Sequence, residues 1–519
     1  MSAAVGAPAP ATARAAGVAW RRGLTAFLLL VAAGLFVFHA RIYWQWTEDD
    51  AFISYRYSQN FARGEGLVFN PGERIEGYSN LSWVLLGAAA SRAGRDLEHD
   101  AKVVGLAAGL AALLLSWLLA RRVAPESGLG ALLAPYAVAM TPILVQHSVA
   151  GLETSLFAAL LAGAVLLTAE PKAGVWRSGG LLVLLLLLLL TRPEGGLLAG
   201  LLLGARAFVV AQESRAKSWL WATAAAFAVG AAAYVVWRWS YFHALLPNTF
   251  YAKARGGLHG IIDGVQYTLD FMRDWGGPPF LALALVPLLL GPRRPVLGVA
   301  LVALVAYEGF VVLAGGDWMY HYRFFAHVLP LLAGLVTAGW MQILSLVQPG
   351  TLRAAVVYGA AALVLLVTFL GIGNTELRVA RAVLPALAAH NYLSQNYQEL
   401  GLWFAENTPP VAKIAISDVG AVGFYSERHI LDMFGLIDPH IARLPGRMHY
   451  KANPRYVLSL APDYIVLVSL NDQGAGYSFQ RIPDYAMNAL PAFHEQYELI
   501  RTVPQHWNNE FVLVYRRRG

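Results

Sequence analysis

Residues Gly23–Ala40 read GLTAFLLLVAAGLFVFHA, and shortly after them Thr47–Tyr57 read TEDDAFISYRY. The first string carries no Asp, Glu, Lys or Arg, and as a helix it spans about 27 Å, close to the ~30 Å hydrocarbon layer of a bilayer. The second sets two carboxylates, Asp49 and Asp50, just past its exit. A run of this length predicts a membrane-spanning helix with the two acids at its boundary, and the further apolar runs along the chain predict a polytopic α-helical membrane protein.

The rest of the chain agrees. Of its 519 residues 57% are apolar and 14% charged, against roughly 25% charged in a soluble domain. The mean hydropathy is +0.50. Val103–Ala120, Trp219–Trp239, Val296–Ala314, Val328–Val347 and Ala354–Ile372 read as further spans, and Leu129–Val145, Leu152–Thr168, Gly179–Leu190, Leu197–Ala211 and Phe280–Leu290 as shorter or interrupted ones, about eleven in all. Residues 1–22 read as a disordered cytoplasmic tail, 23–372 as the transmembrane domain and 373–519 as a separate unit. Arg21 and Arg22 before a long apolar run suit an uncleaved signal anchor.

Threading the spans from a cytoplasmic N-terminus places Arg121, Arg122, Lys172, Arg177, Arg215, Lys217, Arg293, Arg294 and Arg353 on the inner side, against Glu126, Glu170 and Glu213. That is the positive-inside bias. It requires Leu81–Gly94 to lie on the outer surface as an interfacial helix within the 41–102 loop. The net charge of +7 follows from the same bias; no basic run interleaves with aromatics as a nucleic-acid surface would, so nucleic acid is excluded as a partner. The absence of cysteine excludes disulfides, thiolate metal sites and thiol catalysis. Residues 373–519 show β-like runs at Ala412–Ile416, Tyr464–Leu467 and Phe511–Tyr515, predicting a mixed α/β domain on the periplasmic face. Asp418-Val419-Gly420 and Gly435–Pro439 in it read as turns without a catalytic role; the domain shapes the acceptor entrance.

The polar motifs all fall on the outer side of this threading. A helix from Asp49 sets Asp49, Ile53, Arg56 and Asn60 on one face. Its acid suits a general base if its surroundings raise its pKa, though Thr47-x-x-Asp50 also fits a capping box. Glu153 begins an apolar helix as a cap, a metal ligand or a substrate contact. Arg192 and Glu194 sit between two spans with almost no loop, where charge is costly and is paired or functional. Lys253 and Arg255 lie beside aromatics, as do Asp317 and Arg323; an aromatic belt with snorkelling cations explains these equally. Glu308 stands inside a span and needs a polar partner. Carboxylates, cations and aromatics at one membrane face suit a lipid-linked sugar: cations for the phosphate, aromatics and acids for the sugar.

In this order, Asp49–Arg56, Glu76–Ser79, Thr191–Gly195, Pro247–Lys253 and Gly315–Met319 resemble the GT-C superfamily of polyprenyl-phosphate-sugar-dependent membrane glycosyltransferases, in the bacterial branch that includes the mycobacterial terminal arabinofuranosyltransferase. The resemblance covers most of residues 21–372. It implies a multi-pass protein of the bacterial cytoplasmic membrane, with a periplasmic C-terminal domain, that moves a pentofuranose or hexose with inversion from a polyprenyl-phosphate donor to a glycan, lipid or protein acceptor. It further implies Asp49, beside Asp50, as catalytic base, with Arg56, Arg192, Glu194, Lys253, Asp317 and Arg323 around the donor. Some relatives need a divalent cation, which would place Mg, Mn or Ca on Asp49, Asp50 and Glu153. The alternative is a transporter or flippase of a lipid-linked sugar, which calls for polar residues near the midplane and two-half symmetry.

Overall fold

The computed structural model describes residues 11–346 except 173, 212–213, 254–256, 276 and 293; the isolated residues 356, 359 and 381; and 393–519 except 447–449, 472–475 and 506–509. The expected span 354–372, the start of the C-terminal unit at 373, and Arg255, Arg293, Arg353 and Glu213 lie outside the described residues.

Among the described residues four helices are long and apolar enough to cross a membrane: Ala19–Ile42, Leu97–Val123, Arg215–Phe242 and Pro295–Ala314. Thr154–Thr168, Val175–Thr191, Phe280–Leu290 and Leu329–Ser345 are shorter apolar helices. The stretch expected as one span over Leu129–Val145 is instead a pair, Pro125–Ala139 and Pro142–Val149, bent by 56°. The cause is Pro142: its ring holds Thr141 in extended geometry (φ −94°, ψ 119°), which breaks the helical run.

The first loop carries α2 (Asp49–Ala62) and α3 (Leu81–Arg92). The 12 residues of α3 make about 18 Å of helix, shorter than the hydrocarbon layer of a bilayer. Gly151 pins this loop to the helices beneath. At φ +86° it takes a backbone that side chains avoid, and its carbonyl accepts from the Tyr55 hydroxyl (3.1 Å) and the Trp83 indole (3.0 Å).

The C-terminal domain holds a five-stranded sheet ordered β2 (His429–Asp432), β1 (Lys413–Ile416), β3 (Tyr464–Ser469), β5 (Glu510–Arg517), β4 (Tyr497–Gln505). β1 runs parallel to β2 and β3, and β5 antiparallel to β3 and β4. The three expected strands are β1, β3 and β5. β2 and β4 were not legible because His429, Asp432, Glu498, Arg501 and Pro504 interrupt their apolar pattern.

Two large clusters of buried side chains organise the molecule. One lies among the apolar helices around Phe36, Leu144, Phe157 and Leu335. The other joins Phe52 and Tyr57 of α2 with Phe69, Tyr397, Ile414, Val422 and Val466, so the C-terminal domain shares its core with the first loop.

Candidate active site

Adjacent residues on an α-helix point about 100° apart, so Asp49 and Asp50 cannot face the same way. Asp50, Ile53 and Ser54, at helical i, i+3, i+4 spacing, line a cavity of about 590 Å³. Asp49 and Phe52 turn toward the C-terminal domain. The Asp49 carboxylate accepts the backbone N–H of Gly420 (2.9 Å) and of Ala421 (2.8 Å), and Phe52 packs against Phe424 and Tyr425, with ring centroids 5.8 and 5.5 Å away. Burial pushes the Asp49 carboxyl up to about 7; the neighbouring Asp418 adds to the rise, and the two amides pull against it. Glu48, the residue before the helix, is pushed up to about 8 by burial and by the charge of Asp50. The capping box does not form: the Thr47 hydroxyl donates to Glu98.

Across the cavity Lys253 reaches Asp50 at 3.1 Å. Its short helix, Asn248–Lys253, is fixed from two sides. The Asn248 backbone N–H donates to the Glu76 carbonyl (2.8 Å), and its side-chain amide donates to the Gly435 and Leu436 carbonyls (2.9 and 3.0 Å). Glu76 itself is paired with Arg238 at 2.9 Å, and burial raises its carboxyl to about 7 against that pairing.

The third wall is a chain of polar contacts. The Arg192 guanidinium bonds Glu153 at 2.7 Å and also Glu194. Glu153 takes a second bond from the Asn80 amide (2.7 Å), whose oxygen accepts from Ser54 (3.1 Å). Arg323 pairs with Asp317 at 2.6 Å. Burial opposes the Asp317 charge, but the Arg323 guanidinium outweighs it and holds the carboxyl below its ordinary value. The Phe324 ring has the Arg192 and Arg323 guanidiniums each 5.6 Å from its centroid, a cation–π arrangement. Leu152, Ile261, Phe310, Leu313 and Leu436 supply apolar wall, which suits a ligand with a charged head and a greasy tail. Glu308 finds its partner in Thr268 at 2.6 Å.

Seven of the expected residues therefore meet in one cavity: Asp50, Glu153, Arg192, Glu194, Lys253, Asp317 and Arg323. Two do not. Asp49 is taken by the amides of Gly420 and Ala421. Arg56 is buried on the far side of α2, donating to the Phe69 carbonyl (3.3 Å), where Asn60 also bonds (2.9 Å). Ser54 and Leu436 line the cavity without having been singled out, and the turn at Asp418–Gly420 proves to be the seat of Asp49.

The divalent-cation set Asp49, Asp50 and Glu153 does not fit this geometry. Asp49 is turned onto the Gly420 and Ala421 amides, Glu153 is held by Arg192 and Asn80, and among the described residues no three His, Cys, Asp or Glu side chains converge.

With the site in view, the chain can be set beside known proteins. A family model described as a domain of unknown function (DUF8728) matches residues 389–515, the C-terminal domain. A protein of Mycobacterium tuberculosis named terminal β-(1→2)-arabinofuranosyltransferase is 29% identical over 273 residues, which is 48% of this chain and 42% of that protein. Its namesake from Corynebacterium glutamicum is 27% identical over 380 residues, 62% of this chain and 53% of that one. The chain thus spans about half the length of the curated relatives it matches. The crystal structure of ArnT from Cupriavidus metallidurans bound to undecaprenyl phosphate superposes with a TM-score of 0.57 at 14% identity, covering 95% of this chain and 98% of that one.

Proposed function

We propose that this chain, which has the GT-C glycosyltransferase fold and sequence kinship to terminal arabinofuranosyltransferases, transfers a sugar from a polyprenyl-phosphate donor to a cell-envelope glycan, lipid or protein acceptor. The observation that carries the reading is Asp50 facing Lys253 at 3.1 Å inside a cavity that also holds Arg323 and an apolar wall. Asp50 is the base: it takes the proton of the acceptor hydroxyl as that oxygen attacks the anomeric carbon. The bond from the anomeric carbon to the phosphate oxygen breaks, and its electron pair leaves with the polyprenyl phosphate, which gains one negative charge. Lys253 and Arg323 stabilise that charge. With Asp49 turned away, a single acid of the pair faces the sugar, which favours one displacement and inversion at the anomeric carbon. Glu153 and Glu194 hold Arg192 in place as part of the cavity wall.

The positive-inside bias of the lysines and arginines supports a cavity on the periplasmic face of a bacterial inner membrane, with the N-terminus in the cytoplasm. The names of the relatives point to arabinofuranose as the sugar to try first. The test is the purified full chain in lipid nanodiscs, given decaprenyl-phosphate arabinofuranose or a decaprenyl-phosphate hexose with arabinan and mannan oligosaccharides. Release of decaprenyl phosphate together with an elongated oligosaccharide supports the reading. Donors left intact across the panel, while the protein remains folded, refute it.

A further inference from the structure

Three cations reach the cavity among the described residues, and they are not equally committed. Arg192 is held by two carboxylates, and Arg323 by Asp317 at 2.6 Å; both side chains are 8% exposed. Lys253 has a single carboxylate contact, Asp50, at the longer distance of 3.1 Å, and its side chain is 34% exposed. An ammonium on a four-carbon stem is also the cation best able to swing, since its three donors rotate, whereas a guanidinium locked between two acids is fixed by its planar fork.

We propose that Lys253 masks Asp50 until a lipid phosphate draws the ammonium away, so that the base is released only once the donor is seated. The proposal rests on the glycosyl-transfer reading above and deepens it by setting an order: donor first, acceptor activation second. The Lys253 ammonium sits 3.1 Å from an Asp50 carboxylate oxygen, one of the two that can receive the acceptor's proton. A phosphate carries charge on several oxygens and offers the ammonium more acceptors than one Asp50 oxygen does. The exchange leaves Lys253 on the leaving group, where charge will grow, and Asp50 free toward the acceptor. Both ends of the exchange are anchored: the Lys253 helix by Asn248, and Asp50 by α2, whose neighbouring Asp49 is held by the Gly420 and Ala421 amides.

The consequence is that Asp50 and the donor phosphate compete for one cation. Binding of decaprenyl phosphate to the full chain in detergent micelles, read by native mass spectrometry, tests it. Asp50→Asn removes the competitor and tightens binding by roughly twofold to fivefold, the upper part of the range for a partly exposed ion pair. Lys253→Met weakens binding by about tenfold, and the double variant binds like Lys253→Met alone. Equal binding by wild type and Asp50→Asn overturns the proposal and leaves the donor reading standing. Tightening that persists in the Lys253→Met background also overturns it, because the effect is then a general field and not release of this lysine. A folded wild type that takes up no decaprenyl phosphate refutes the donor reading itself, and the proposal with it.

Discussion

The Asp49 carboxylate accepts the Gly420 N–H at 2.9 Å although 371 positions separate the two residues. That contact divides the labour of the acidic pair. Asp49 fastens α2 to the C-terminal domain, and the helical turn then presents Asp50 to the cavity. Asp50→Asn should therefore lower kcat by about 10²–10⁴-fold, the usual contribution of a general base, with little change in Tm. Asp49→Asn should do the reverse, lowering Tm and sparing more of the turnover. Parallel turnover assays and thermal unfolding separate the two. An active Asp50→Asn beside an inactive, well-folded Asp49→Asn would return the base to Asp49.

The same contact leaves no room at Gly420. A methyl group built there runs into the Asp49 carbonyl oxygen and approaches its carboxylate to 2.7 Å. Because the obstacle is backbone, relief requires the short helix Gly420–Ser426 to move away from α2. Gly420→Ala should cost about 1–3 kcal/mol, the range for overpacking a tight site. Limited proteolysis should also cut more readily between the membrane helices and the C-terminal domain. Wild-type Tm and wild-type cleavage would mean that the seat is looser than described.

Stability should fall as pH rises. Burial raises Asp49, Asp432 and Asp484 each to about 7, against roughly 3.9 for an unfolded aspartate. Between those values the unfolded chain has released protons that the folded chain still holds, so each group's contribution is complete below about pH 4 and is lost on the way to about pH 7. Tm measured from pH 5 to pH 8 should decline, and Asp49→Asn should flatten part of that slope. A Tm that climbs over this range would contradict the assignment.

Much of this was written in the chain, and the rest depended on contacts that no local pattern carries. The four long apolar helices were readable because hydrocarbon forces uninterrupted apolar runs. The Arg192–Glu194 pair followed from the cost of charge near lipid. What could not be read was the direction of α2. Asp49, Ile53 and Arg56 share a face by periodicity, yet which side of the helix meets the cavity is set by Phe424, Tyr425 and the Gly420 amide, more than 350 positions away. Leu436 entered the cavity by the same route: it rides on a loop that Asn248 binds and that Asp432 tightens by accepting the Phe434, Gly435 and Ile437 amides.

Arg192 is the keystone of the third wall, so removing it should be worse than removing its partners. Arg192→Met would leave Glu153 and Glu194, which are 4% and 2% exposed, without their cation. Stranding one buried charge costs about 3–5 kcal/mol, which is enough to unfold a marginal protein. Glu153→Gln keeps a hydrogen-bond acceptor for Arg192, whose other partner Glu194 remains, and should be tolerated far better. Yield and Tm of the two variants provide the comparison, and equal losses would show that the pairing is not what holds this wall.

The C-terminal domain should tune which sugar is accepted, because one of its residues is cavity wall. Leu436 is 4% exposed and lines the same cavity as Asp50. Leu436→Ala removes three carbons from that wall and enlarges the space beside the reacting centre. Part of the effect is stability, about 2–5 kcal/mol for a buried leucine cut to alanine. The part that reports on the site is selectivity: the ratio of kcat/KM for a hexose donor over a pentose donor should rise, since a ratio between two donors on one enzyme cancels any loss of folded protein. A pocket change of this size is worth about 1–3 kcal/mol of discrimination, or roughly tenfold and upward. If the ratio stays at the wild-type value while Tm drops, Leu436 acts as a packing residue only, and selectivity belongs to the membrane helices.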